Sequence, residues 1–175
     1  IKQLANNSIG SNMPVKSLEL KHTIKLIREL DSEISEIEAE IEKIMGKIDS
    51  PILSIPGIGT SMAAMIISEI GSFDNFDSPD KILAFAGLAP TTYQSGKLES
   101  SHSKMEKRGS RYLRYALFNA TKFVCNWDPT FAIYLSKKRA EGKHYNVAIS
   151  HATKKLVRVM FALEKNKTVY YKTAV

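Results

Sequence analysis

Apolar residues recur every three or four positions between residues 20 and 48, and this spacing predicts one face of a long helix. The positions are Leu20, Thr23, Ile27, Leu30, Ile34, Ile37, Ile41, Ile44 and Ile48, with Thr23 filling an early gap. Glutamates crowd the intervening positions and predict a solvated face. A stripe of this kind must pack against a partner helix. We therefore predict a coiled-coil helix over residues 16–48, preceded by a linker over residues 1–15.

The partner of this stripe is left open by the pattern alone. Isoleucine at both seam positions disfavours a simple parallel dimer, whereas an antiparallel pair and docking onto another domain both remain compatible. We expect a homo-oligomer through the coiled coil. Because the first residues are typical of a linker, we also expect the chain to be the C-terminal part of a longer protein.

The remaining segment, residues 49–175, has helical patterns and turn signals but no strong strand pattern. Helices are predicted over residues 61–70, 78–85, 110–124, 128–142 and 146–164. Residues 87–103 carry Gly, Pro, Thr and Ser with little periodicity, and they form the longest candidate functional loop, with a short hairpin near Ser95-Gly96. The predicted fold class is all-α, with a coiled-coil helix followed by a compact helical domain.

Positive charge is concentrated in the last part of the chain. Residues 101–175 hold 16 Lys and Arg against 4 Asp and Glu, whereas residues 1–100 hold 9 against 14. A basic block of this size favours a polyanionic partner, nucleic acid first and an anionic membrane surface second. A merely solvated, lysine-rich surface is the plain alternative.

Membrane-spanning and disulfide-rich classes are excluded by composition. No apolar run approaches the roughly 18 residues that a membrane span requires, and no signal-peptide pattern opens the chain. The single cysteine, Cys125, cannot form an internal disulfide. We expect no membrane partner and a reducing, cytoplasmic setting.

One short motif resembles the helix-hairpin-helix of DNA-binding proteins. It reads Ile55-Pro56-Gly57-Ile58-Gly59 and precedes a helical run. Backbone N–H groups at the start of that helix favour a phosphate, so Gly57 and Gly59 are candidate nucleic-acid contacts. An ordinary tight turn between packed helices is equally compatible, because no Lys or Arg flanks the motif.

The candidate catalytic residue is Ser95, which lies in a loop and is followed by a glycine. Attack of a serine hydroxyl on a phosphodiester needs cations to balance the developing negative charge. The cations nearby in sequence that we predict to hold phosphates are Lys97, Lys107, Arg108, Arg111 and Arg114. Arg111 and Arg114 share one helix face at a spacing of i, i+3.

In combination, these motifs resemble the C-terminal transposase domain of the IS110 family of insertion-sequence transposases, relatives of the Piv invertases. The resemblance covers about residues 53–163. It rests on the Ile-Pro-Gly-Ile-Gly hairpin, Gly87-Leu88-Ala89-Pro90, Gln94-Ser95-Gly96, and Lys107-Arg108-Gly109 leading into Leu113-Arg114.

The resemblance implies DNA recombination through a covalent phosphoserine, guided by a bridge RNA, with Ser95 as the nucleophile. It also implies an N-terminal RuvC-like domain whose four carboxylates bind magnesium. No such tetrad occurs in this chain, and the acids of residues 29–42 fall on the coiled coil. We therefore expect no metal site or cofactor here and magnesium in a missing domain, so that this chain alone binds DNA and guide RNA without cutting.

Two readings from other classes remain. In the first, the chain is a noncatalytic nucleic-acid-binding and oligomerisation module, and Ser95 is a turn residue. In the second, the chain is a protein scaffold that assembles through its heptads, which leaves the basic block without a role. A faint likeness of Tyr170 or Tyr171 to the nucleophile of tyrosine recombinases lacks the expected first arginine and strand context.

If the basic block holds phosphates, the affinity of the chain for DNA or RNA will fall steeply with salt. For about 6 phosphate contacts, the fall is expected to reach orders of magnitude across a roughly fourfold rise in salt, because bound counterions are released on binding. Titration of a labelled duplex at several salt concentrations measures it. An absent or salt-insensitive interaction would contradict both nucleic-acid readings.

Overall fold

The computed structural model describes residues 2–6, 13–90, 94–95, 98–99 and 105–171, and the chain divides into two compact units, residues 1–40 and 41–175. The fold is all-α, as the sequence predicts. The helices are α1 (Lys2–Asn6), α2 (Pro14–Met45), α3 (Thr60–Ile70), α4 (Pro79–Phe85), α5 (Arg111–Trp127), α6 (Pro129–Ala140) and α7 (Tyr145–Asn166). Two short strands, β1 (Gln94–Ser95) and β2 (Leu98–Glu99), form an antiparallel pair.

Helix α2 contains most of the predicted heptad stripe but stops short of residue 48. Its end is marked by Gly46, and the next residues form turns in which the Lys47 N–H donates to the Ile44 carbonyl at 3.0 Å. Ile34 and Ile37 remain 52% and 61% exposed. Exposed isoleucines at heptad spacing are typical of a helix that pairs with another helix. Coiled-coil pairing therefore remains our prediction for this stretch.

The last turn of α2 belongs instead to the core of the second unit. Met45 is 4% exposed, and Ile41 is half-buried against the same core. Of the stripe positions, Ile41 therefore packs on the core, whereas Ile44 and Ile48 remain 52% and 38% exposed. Within the predicted linker, residues 1–15, residues 2–6 form the short helix α1.

Helix α5 is the centre of the second unit and packs against α3, α6 and α7. One face of α5 is fully buried at Leu113, Leu117 and Val124, and the small residues Ala116 and Ala120 on that face allow neighbouring helices to approach closely. Helix α7 closes the core by packing on α4, α5 and α6. The helices thus enclose one continuous apolar core.

Side-chain caps begin α5 and α6 where the sequence predicts. The Ser110 hydroxyl oxygen accepts a hydrogen bond from the Leu113 N–H at 3.0 Å at the start of α5. The Asp128 carboxylate accepts one from the Phe131 N–H at 3.0 Å at the start of α6. Each cap satisfies a backbone donor that the first helical turn leaves unpaired, so both helix starts are set locally.

We expect the double variant Ile34→Asp/Ile37→Asp to lower the mass of the chain in light scattering, because charge on the exposed stripe prevents helix pairing. The thermal midpoint of the second unit should stay unchanged. Ile41→Asp is the matched control, and it should lower that midpoint because it places a charge against the core. An unchanged mass for the double variant would contradict oligomerisation through α2.

Candidate functional site

The segment that carries Ser95 is joined at its base by backbone pairing. Pro90 and Met105 form an antiparallel bridge, and the Lys107 N–H donates to the Gly87 carbonyl at 3.1 Å. The chain therefore leaves the helical body and returns to it at one place. This base, residues 87–90 with 105–107, is called the loop base below.

Ser95 lies in β1, where its partner in the register is Leu98, and Gln94 pairs with Glu99. This pairing is the short hairpin expected near residues 95 and 96. Lys97, which we predicted to hold phosphate, lies outside the described residues.

Arg114 donates hydrogen bonds to two backbone carbonyls that its position in the sequence does not predict. Its Nη1 donates to the Ala86 carbonyl at 3.0 Å and to the Lys107 carbonyl at 3.2 Å. The half-buried guanidinium thus ties the end of α4 to the returning strand of the loop base. Contact of Arg114 with phosphate remains a prediction beside this bracing role.

The start of α5 is locked onto α4 and α3. Gly109 has a φ of +115°, and a Cβ there would stand 2.1 Å from the Phe85 carbonyl oxygen, so only glycine fits. The next N–H, that of Ser110, donates to the same carbonyl at 2.8 Å. The Ser110 hydroxyl donates to the Glu69 carboxylate at 2.5 Å while it caps α5. Three helices therefore hold this junction.

Three predicted phosphate contacts, Lys107, Arg108 and Arg111, are exposed around this junction. Lys107 ends the loop base, Arg108 follows it, and Arg111 begins α5. The Arg111 guanidinium carbon lies 4.7 Å from the centroid of the Tyr112 ring, and its Nη2 donates to the Tyr112 hydroxyl at 2.7 Å. Stacking on an aromatic ring orients a guanidinium while leaving its charge open to an anion.

The Pro-Gly hairpin packs against the rest of the fold through Gly57. Its φ is +90°, and a Cβ there would stand 2.7 Å from the Phe123 carbonyl carbon in α5. Gly59, the exposed N-cap of α3, has nothing within 4 Å of a Cβ. The preceding element is a 3-10 turn over Pro51–Ser54, so the helix-hairpin-helix resemblance is not confirmed. Gly57 braces the fold here, and nucleic-acid contact by either glycine stays a prediction.

A second basic region, which the predicted site did not include, lies where α6 meets α7. Lys138 and Lys143 form ion pairs with Glu141 at 2.9 and 3.0 Å. Burial, followed by the positive charge of Lys154, holds the pKa of His151 below its usual value. In the sequence, this region is marked by the basic run Lys137-Lys138-Arg139 at the end of α6. Only the folded structure shows that α7 lies beside this run.

A groove joins this second basic region to the loop base. It is lined by Leu88, Pro90, Met105, Val147, Ser150, His151 and Lys154. Lys154 of α7 therefore lines the same groove as three residues of the loop base. Within the described ranges, no group of three or more His, Cys, Asp or Glu side chains could hold a metal ion. In the same part of the chain, no helix combines the length and apolarity needed to cross a membrane.

Comparison with known proteins places these residues in a family context. The model of the Transposase IS116/IS110/IS902 family matches residues 49–136. The chain is 33% identical over 137 residues to the insertion element IS110 uncharacterized 43.6 kDa protein of Streptomyces coelicolor, covering 77% of this chain and 33% of that protein.

Two further relatives cover similar shares. The insertion element IS900 uncharacterized 42 kDa protein of Mycobacterium paratuberculosis is 28% identical over 95% of this chain and 42% of its own length. The pilin gene-inverting protein of Moraxella bovis is 30% identical over 65% of this chain and 36% of its own length. The chain therefore spans about a third to two fifths of the length of these relatives.

We expect Gly57→Ala to lower the free energy of unfolding by more than about 2 kcal/mol, because a Cβ at positive φ meets the backbone of α5. Gly59→Ala is the matched control and should change it little, because the space around Gly59 is open. Urea unfolding of both variants measures the difference. Equal stabilities would contradict the bracing role of Gly57.

Proposed function

The chain belongs to the Transposase IS116/IS110/IS902 family, and on that basis we propose that it is the serine-bearing part of an insertion-sequence transposase that cuts and rejoins DNA. Ser95 acts as the nucleophile. Lys107, Arg108 and Arg111 hold phosphates of the DNA substrate or of a guide RNA. Lys97 belongs to the same set by its position in the sequence.

The observation that carries this proposal is the position of the loop base. It brings together the two ends of the segment that contains the Ser95 hairpin, and the exposed cations Lys107, Arg108 and Arg111 lie at or just after the returning end. A hydroxyl that attacks a phosphodiester creates negative charge on the phosphoryl oxygens, and preorganised cations stabilise that charge. A nucleophile-bearing hairpin beside a fixed basic junction suits this chemistry.

The proposed step exchanges one ester for another. The Ser95 Oγ forms a bond to phosphorus, the bond from phosphorus to one deoxyribose oxygen breaks, and the serine proton leaves as the departing oxygen gains one. A free hydroxyl of a second DNA strand then attacks the phosphoserine, forms the new phosphodiester and returns Ser95 to its starting state. No oxidant or nucleotide cofactor is needed, because each bond broken is matched by one formed.

Other parts of the full-length protein complete this proposal. Magnesium is held by an N-terminal RuvC-like domain, as the family resemblance implies. The exposed stripe of α2 pairs copies of the protein, and a bridge RNA guides the choice of DNA. A nucleoid-associated location in a prokaryotic cytoplasm follows from a DNA substrate.

The alternative function is a noncatalytic module that binds nucleic acid and oligomerises. It is favoured by one observation, which is that α5 contains Arg111, Arg114 and Lys122 but no Asp or Glu. Such a surface binds phosphate whether or not Ser95 reacts. The two functions differ only in what removal of the serine hydroxyl does.

We expect Ser95→Ala to abolish recombination by the full-length protein, assayed with magnesium, guide RNA and paired DNA substrates, while binding of the same DNA stays within about twofold. Loss of the attacking oxygen removes the covalent step and leaves the cations in place. Ser101→Ala, at another serine of the same sequence segment, is the matched control and should recombine normally.

Normal recombination by Ser95→Ala would contradict the catalytic proposal and favour the noncatalytic module. Loss of binding together with activity would also contradict it, because the serine would then serve the fold or the interface.

A further inference from the structure

Helix α5 presents aromatic rings to solvent along the face opposite its core residues. Tyr112 and Tyr115 are 56% and 62% exposed, although rings of this size are usually well covered in a folded domain. They lie one turn apart on the helix. Because α5 carries cations and no carboxylate, the charge of this helix favours an anionic partner.

A groove of about 360 Å³ runs between this face and the loop base. Leu88, Met105 and Phe118 supply apolar atoms to its lining. Tyr115, Asn119, Lys122 and Arg114 supply polar or charged groups. Flat apolar surface edged by hydrogen-bonding and cationic groups matches the chemistry of a nucleotide, which has an aromatic base and an anionic phosphate.

The ammonium group of Lys122 is held in place by its neighbours in the groove. Lys122 Nζ lies 5.3 Å from the centroid of the Phe118 ring and 3.3 Å from the Asn119 side-chain oxygen. Contact with a ring and an amide directs the ammonium toward the groove without neutralising it, since neither partner carries a negative charge. The ammonium remains able to bind a phosphate.

Exposure of the rings favours unpaired over paired nucleotides. In a duplex, the faces of the bases are stacked on one another and only their edges are accessible. A tyrosine ring can stack on a base face only where the strand is single or the base is turned out. A protein helix could dock on the same rings without using the cations of α5 or the lack of carboxylates there. These features therefore favour a nucleotide over a protein helix.

We propose that the groove between α5 and the loop base binds an unpaired nucleotide, with the base stacked on Tyr115 and the phosphate on Lys122. The proposal rests on the proposed function for its premise that this face meets nucleic acid, and it adds the class of ligand. The nucleotide bound there lies beside the base of the hairpin that carries Ser95. The groove therefore selects strands that are already unpaired.

The test measures the affinity of the 175-residue chain for three labelled probes by fluorescence anisotropy: oligouridylate, oligothymidylate, each of about 12 nucleotides, and a duplex of similar length. Tyr115→Leu should bind both single strands about tenfold more weakly and the duplex unchanged, because leucine keeps apolar area but cannot stack. Tyr115→Phe should restore binding to within about twofold of the original chain.

The matched control is Trp127→Leu, which removes an equally exposed ring about 18 Å further along α5. It should leave all three affinities unchanged. Lys122→Ala should weaken binding of the single strands and reduce its dependence on salt. A difference between the two single-stranded probes shows whether the groove takes an RNA or a DNA nucleotide.

Three results would overturn the proposal. If Tyr115→Leu binds single strands as well as the original chain, while that binding depends steeply on salt, stacking is wrong and the proposed nucleic-acid function stands. If Tyr115→Leu weakens the duplex as much as the single strands, the ligand is not an unpaired nucleotide. Failure of the original chain to bind any probe would contradict this proposal and its premise together.

Discussion

The close contact between Gly109 and the Phe85 carbonyl is the constraint on which the candidate site depends. It brings the start of α5 against the end of α4 at a distance that no side chain permits, and the Ser110 N–H bonds to the same carbonyl. Arg114 then spans from Ala86 to Lys107, so both ends of the loop base are held by one guanidinium. A rigid base allows a short hairpin to present its residues in a defined place.

Several carboxylates of the second unit accept hydrogen bonds within the fold. Asp128 caps α6 and accepts a hydrogen bond from the Tyr170 hydroxyl at 2.9 Å. Burial and this bond raise the pKa of Tyr170 to about 12, and the bond holds its hydroxyl on a structural carboxylate. This agrees with the absence of a tyrosine-recombinase pattern in the sequence.

Two other carboxylates are also engaged within the fold. Lys138 and Lys143 hold the pKa of Glu141 at about 2. The buried Glu164 accepts hydrogen bonds from Ser50 and Lys167. These pairs engage Lys138, Lys143 and Lys167, yet residues 101–175 keep a net positive charge because they hold 16 Lys and Arg against 4 Asp and Glu. A segment with this net charge suits the nucleic-acid partner that we propose.

Local signals were enough to predict most of the helices. Caps such as Ser110 and Asp128, and the Ser78-Pro79 start of α4, act through atoms within a few residues, so the sequence alone locates them. Long-range contacts were not predictable in the same way. Ile41 follows the heptad spacing yet packs on the core, and the Arg114 guanidinium bonds to a carbonyl 28 residues away.

The candidate site also combines features that local sequence predicts with features that only the fold reveals. Gly57 carries a turn signal that fits both a phosphate contact and a close helix packing, and the backbone of α5 beside it was visible only in the fold. The role of Ser95 came from resemblance to a family, because a serine followed by glycine is common in loops. The groove beside Tyr115 has no sequence signal, since its lining comes from α5 and two separated parts of the loop base.

The most direct measurement is the chemical identity of the protein–DNA linkage. The full-length protein would be supplied with magnesium, guide RNA and a nicked DNA substrate that cannot be rejoined, and the trapped adduct would be digested and sequenced by mass spectrometry. The account predicts a nucleotide phosphate esterified to the peptide containing Ser95. Cleavage with the phosphate on another residue, or cleavage with no adduct, would contradict it.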